Sequence, residues 1–246
     1  MAWHPHKEIL AIANRNHDVY IYEREKSQWT CKVLKHKFMI DITALAWKPK
    51  AGGTLAVGCR YGVCVWNFTA ESAPLQSPQK GVQIKSASSS TMRYHPNAWM
   101  KYLRTDGHEH IASLTWDPSP GSHLLAAVSA NNSTLMIYDT LTLTGTPLKR
   151  YGKGNLLVRW SPDGDWLYVA TSTGSIRIWE TEHWTSTTYT NPPGLWVQAA
   201  CWAPDSRSLF YSMRGKSDVH LLYRSGPSIN AGNTGTVVWE ARNHGH

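Results

Sequence analysis

Residues 42–68 read ITALAW, KPKAGG, TLAVGC, RYG and VCVWNF, three short runs of β-branched and aromatic residues parted by Gly- or Pro-containing breaks. In the first run Ile42, Ala44 and Ala46 share one face, and Thr43, Leu45 and Trp47 the other. Three strands joined by tight turns make an antiparallel meander. The same grammar returns as LLVRW, SPDGD, WLYVAT, STGS and IRIWE over 156–180, and as QAACW, APDSR, SLFYSM, RGKSD and VHLLY over 198–223.

Working outward, the first run of each copy ends in Trp-x-Pro, which occurs at Trp3, Trp47, Trp116, Trp160 and Trp202, at intervals of 44, 69, 44 and 42 residues. Three intervals match the roughly 40 to 45 residues of a four-stranded propeller blade, and the long one holds about 25 inserted residues. The third run ends in an aromatic, Tyr22, Trp66, Tyr138, Trp179 or Tyr223, read as keeping phase with the Trp. A small sheet cannot bury both faces alone, so neighbouring blades must pack together, and large aromatics fill the gap. Pro stops the first ladder, while Asp163-Gly164 and Gly52-Gly53 are expected to supply the positive φ of a tight turn.

These features resemble the WD40 repeat, whose Gly-His pair has a counterpart in Gly107-His108. The expected fold is all-β: a WD40-type β-propeller in one partial domain, with blades around 1–41, 42–68, 107–148, 155–190 and 197–224. Residues 69–106 read as an inserted loop, with Tyr94, Trp99, Met100 and Tyr102 either packed back as an outer strand or presented to a partner, packing being favoured. Ser77-Pro78 in that loop is a candidate phosphate acceptor, and residues 225–246 read as an irregular tail, in which VVWEA is a candidate strand.

Composition narrows the function classes. Thirteen Trp and eleven Tyr stand against three Phe, the formal net charge is +8, and no run of about 18 apolar residues exists. The expectation is a soluble chain with no membrane insertion and no signal peptide. Cys31, Cys59, Cys64 and Cys201 lack metal-ligand or CxxC spacing and read as buried thiols of a reducing compartment. The densest basic cluster, Lys32, Lys35, His36 and Lys37, has no interleaved stacking aromatics, so nucleic acid is disfavoured. A rival reading, nucleic acid or anionic lipid held by the basic excess, requires Lys32, Lys35, Lys37, Lys149, Arg150 and Lys153 to gather on one face.

No GxSxG, HExxH or GxxxxGK[ST] motif occurs, and no catalytic, cofactor-binding or metal site is expected. His4-Pro-His6 and His108-x-His110 lack a third ligand at metal spacing. Asp163 and Asp205 recur in phase after Trp-x-Pro and read as turn caps; Asp139 and Glu180, after the third-run aromatic, read as hydrogen-bonding within their own blades. The chain is therefore expected to be a binding scaffold and not an enzyme, with no small-molecule substrate.

A narrower resemblance is carried by AWHPHKEILAIA (2–13), LKHKFMIDITALAWKP (34–49), GHEHIASLTWDPSP (107–120), NLLVRWSPDGDWLYVAT (155–171) and RIWETEHWTS (177–186). From Ala2 to about Tyr223 these are similar to the aladin family of WD-repeat nucleoporins. That resemblance implies a seven-bladed propeller at the nuclear pore complex in the nuclear envelope. It further implies other nucleoporins as partners, including a transmembrane pore-membrane anchor, and a role in nucleocytoplasmic transport. Five visible repeats are then expected to be an incomplete portion of such a propeller, with open sheet edges and apolar end faces.

Overall fold

The computed structural model describes residues 1–50, 52–68, 93–94, 98–225 and 238–244. The first blade is β1 (Ala2–Trp3), β2 (Ile9–Ala13), β3 (Val19–Glu25) and β4 (Gln28–Leu34). The second begins with β5 (Ala44–Trp47), β6 (Thr54–Cys59) and β7 (Gly62–Phe68). The short β8 (Arg93–Tyr94) then runs parallel beside β4 on the first blade, and β9 (Ala98–Leu103) completes the second. The third blade is β10 (Ile111–Trp116), β11 (Leu124–Ser129), β12 (Asn132–Asp139) and β13 (Thr144–Leu148). The fourth is β14 (Asn155–Trp160), β15 (Trp166–Thr171), β16 (Ser175–Glu180) and β17 (Ser186–Thr190), and the fifth β18 (Val197–Trp202), β19 (Ser208–Met213), β20 (Val219–Ser225) and β21 (Val238–His244). No helix occurs among the described residues.

Two strands lie where the sequence pattern was weakest. Residues 98–103, inside the stretch read as an inserted loop, pair antiparallel with β7, and residues 238–244, inside the expected irregular tail, pair antiparallel with β20. Both are outer strands, whose place is set by the open hydrogen-bonding edge of the third strand more than by apolar alternation. Ser77-Pro78 lies outside the described residues.

Strand register explains why the Trp-x-Pro tryptophan recurs. Cross-strand partners align a triplet in every blade: Trp3–Leu10–Tyr22, Trp47–Leu55–Trp66, Trp116–Leu125–Tyr138, Trp160–Leu167–Trp179 and Trp202–Leu209–Leu222. The fifth corrects the expected phase. Leu222 holds the third place, and Tyr223 pairs with Ser208 on the opposite face. Side chains alternate with period 2, so a one-residue offset moves an aromatic across the sheet.

From the second blade onward the triplet faces the preceding blade. Trp47, Leu55 and Trp66 pack on Ala11, Val19 and Ile21, and Trp116, Leu125 and Tyr138 on Ala56, Val63 and Val65. Trp160, Leu167 and Trp179 pack on Ala126, Val128 and Ile137, and Leu209 and Leu222 on Tyr168, Ala170 and Ile178. The indoles also donate across the seam. Trp47 Nε1 lies 3.1 Å from the Ala2 carbonyl, Trp116 Nε1 2.9 Å from that of Ala46, and Trp202 Nε1 3.1 Å from that of Arg159. Trp160 departs from this: its indole donates to Gly164 within its own blade (2.8 Å), and its backbone N–H crosses the seam to Thr115 Oγ1 (3.2 Å).

Four cores thus join five blades in sequence, and among the described residues none joins the fifth to the first. The described residues form an incomplete propeller, an open arc. Burial follows from it: β15 is buried at every position, whereas β18 and β19 largely alternate between inward buried and outward exposed residues. Trp3, whose triplet faces away from the second blade, is 59% exposed. The same geometry corrects the reading of the cysteines. Cys59 and Cys64 are buried, but Cys31 is half-buried and Cys201 exposed. Cys31 shares a row with Tyr22 and Cys201 with Phe210, on the outer faces of the terminal blades.

The turns hold a further correction. Gly164 takes a φ of 91°, but in the 48–53 turn the left-handed residue is Lys50 (φ 56°), not Gly52 or Gly53. Gly53 is needed for space, since a Cβ there would stand 3.0 Å from the Phe68 carbonyl oxygen.

Candidate functional site

The carboxylates that stand out in sequence serve the turns. Asp139 Oδ1 accepts the Leu141 N–H (2.7 Å), which with the Thr142 N–H holds its pKa below the usual range. Burial alone would raise Glu180, but the N–H groups of His183 (2.9 Å) and Glu182 (2.7 Å) overcome it and the carboxyl sits low. Asp163 Oδ1 accepts from the Asp165 N–H (3.1 Å) and from Ser161 Oγ (2.5 Å), and Asp205 Oδ1 from the Arg207 N–H (3.0 Å). Carboxylates spent on backbone N–H groups are poorly placed for proton transfer to a substrate. Sequence reasoning missed that Glu180, Glu182 and His183 bring ligand-type atoms within 4.8 Å of one another. The Glu-x-Glu-His spacing is the only signal, and the turn hydrogen bonds account for it.

The histidines are similarly occupied. His4 Nδ1 accepts the N–H groups of His6 and Lys7, both at 3.1 Å, and its ring meets Trp47 edge-on at 5.0 Å. His108 is buried with Nδ1 3.4 Å from Tyr138 Oη, and desolvation pushes its pKa down to about 4. Unfolding releases it to about 6.5, so the unfolded chain takes up the proton first. Its contribution is complete above about pH 6.5 and is lost as pH falls towards 4, by about 3 kcal/mol in all. Thermal midpoints measured from pH 7.5 to 5.0 should therefore fall, and H108Q should flatten the slope.

The aromatic cluster of the insert is placed by β9 and β8. Tyr102 stacks on Phe38 at 4.3 Å and donates from Oη to the Tyr61 carbonyl (2.9 Å), and Met100 and Tyr102 join the core between the first two blades. Trp99 remains about half exposed, and Tyr94 falls in β8.

Topology sorts the loops by end of the arc. The Trp-x-Pro turns and the third-to-fourth-strand turns lie at one end; the second-to-third-strand turns and the blade-to-blade connections lie at the other. The described loops of the connection end carry ten Lys or Arg against five Asp or Glu, those of the Trp-x-Pro end five against six. A charge dispersed in sequence is thus concentrated at one end. Lys35, Lys37, Lys149, Arg150 and Lys153 belong to the connection end, in two loops two blades apart. Lys32 lies on β4 beside Glu23 (3.2 Å), and Lys35 pairs with Asp18 (3.5 Å). Exposed aromatics stand among these cations: Lys37 Nζ lies 5.1 Å from the Phe38 ring centre, Arg60 5.8 Å from Tyr61, and Arg214 5.4 Å from Trp196.

Five blades of four antiparallel strands, the first carrying the extra parallel strand β8, define the class together with the sequence matches that follow, a WD-repeat β-propeller protein. Residues 157–180 match the WD domain, G-beta repeat, and residues 1–76 match the WD40 domain of anaphase-promoting complex subunit 4. Over 95% of its length the chain superposes, at a TM-score of 0.64 and 16% identity, on 67% of the β-propeller domain of Cps50 (Swd1) from Myceliophteria thermophila, a likeness of fold. The chain is an aladin-like WD-repeat protein: it is 29% identical to Aladin of Arabidopsis thaliana over 238 residues, 94% of this chain. It spans about half of that relative's length (52%).

Proposed function

We propose that the chain is a non-enzymatic scaffold of the nuclear pore complex at the nuclear envelope. It binds other nucleoporins, including a transmembrane pore-membrane anchor, and supports nucleocytoplasmic transport. The observation that carries this reading is the similarity to Aladin along nearly the whole chain. It is supported by a repeat whose unusual residues are spent on structure, the tryptophans on joining blades and the carboxylates on capping turns within them. A rigid arc with loops at two ends suits the binding of proteins.

Proximity labelling with the tagged chain in its own cells, read by mass spectrometry and by imaging of the nuclear rim, tests the reading. Enrichment of nucleoporins at the rim is the expected result. A diffuse signal with unrelated neighbours would remove the pore and leave the WD-repeat scaffold alone.

A further inference from the structure

We propose that the junction of the third and fourth blades, at the connection end of the arc, is a docking surface for an acidic, Asp/Glu-rich segment of a partner protein. The loop of residues 149–154 carries Lys149, Arg150 and Lys153, and Arg177 on β16 stands beside it. Among the described residues none of these four cations lies in an ion pair with a carboxylate. Burial, and after it the neighbouring Arg150, push the Arg177 pKa down.

The loop is also held in place. Arg177 Nη2 donates to the Tyr151 carbonyl at 2.5 Å, Ser133 Oγ donates to the Arg150 carbonyl at 2.6 Å, and the Arg150 guanidinium lies 4.6 Å from the centre of the Trp179 ring. Tyr151 projects from it with 98% of its surface exposed, beside an open hollow of about 350 Å³ whose lining, among the described residues, is Lys149, Arg150 and Tyr151. An anchored loop that keeps cations without carboxylate partners and a bare tyrosine in solvent is suited to an anionic partner.

The surface favours carboxylates over a nucleic acid. A single strand binds by stacking bases on open aromatic faces along a continuous cationic track. Here the rings of Phe38, Tyr61 and Trp196 each already have a cation alongside, which leaves Tyr151 as the open ring. The track is also interrupted, since Asp18 pairs with Lys35 and Asp41 with Arg60. What remains is a compact group of cations with a Tyr anchor, the composition of a protein hot spot.

The inference rests on the scaffold reading, supplying the surface and the partner's chemistry, but its test is independent of the pore. Fluorescence anisotropy of the full chain would be measured with a labelled deca-glutamate peptide, with an oligouridine of equal charge, and with vesicles containing phosphatidylserine. The peptide should bind more tightly than the other two probes. K149E/K153E, at exposed positions, should weaken peptide binding at least about tenfold with an unchanged melting temperature, and Y151A should weaken it further. K50E, at the other end, should leave it within about twofold. No peptide binding, equal loss with K50E, or tighter binding of RNA or vesicles would overturn the proposal. Nuclear-rim labelling failing while K149E/K153E still loses the peptide would count against the pore reading alone.

Discussion

W116A is expected to destabilise the chain by about 4 kcal/mol, enough to leave little of a domain's usual margin. Trp116 is 3% exposed and stands at the inner end of the triplet that seats the third blade on the second. Its removal opens an indole-sized cavity between Ala46, Val65 and Leu125 of the same core and leaves the Ala46 carbonyl without the indole donor 2.9 Å away. W116F separates the two contributions: it keeps most of the buried area, loses the hydrogen bond, and should cost less than W116A by at least about 2 kcal/mol. W3A is the internal control. It is the same position of the repeat, but on a face that no other blade covers among the described residues, where Trp3 is 59% exposed, and should cost less than about 1 kcal/mol. Urea midpoints followed by circular dichroism would rank the three, and a W3A effect as large as that of W116A would contradict the open arc.

G154A should be nearly as damaging, at about 3 kcal/mol or more, although it adds one methyl group. A Cβ on Gly154 would stand 1.8 Å from the carbonyl oxygen of Ala130 and 2.6 Å from its carbon, both backbone atoms of the turn between β11 and β12. Neither side can yield cheaply. The Gly154 carbonyl accepts the Ser172 N–H (2.9 Å), and the next residue, Asn155, donates from Nδ2 to the Ser133 carbonyl (2.9 Å), so the third and fourth blades are clasped at this point. Gly52 supplies the comparison, because a methyl group added there would meet nothing within 4 Å, and G52A should leave the melting temperature within about 2 °C. A G154A protein that melts with wild type would show that the clasp relaxes.

Gly154 and Trp116 mark how differently the sequence speaks. The tryptophan announces itself by recurring at blade spacing, whereas Gly154 sits in KGN with no periodic signal, and its role exists only where two hairpins from different blades meet. Leu222 is a case between them. The rule that an aromatic closes the third strand leads to Tyr223, and only the register with Leu209 shows which of two adjacent residues turns inward.

Local pattern is enough to specify the all-β repeat, the five blades and their inner strands, because alternation with period 2 and Pro/Gly turns are properties of a few neighbouring residues. It is enough, too, to assign the phased aspartates to turns, since an Asp two residues before an N–H caps it wherever the chain goes. Stacking of the blades was needed to set which residues form the outer strands β9 and β21, which face of each blade bears the tryptophan row, and which cysteines are covered. It also gathered the cations at one end. Those outcomes depend on which groups from distant parts of the chain become neighbours. Loops that alternate in sequence between the two ends of a blade come together in space only when the blades are stacked side by side.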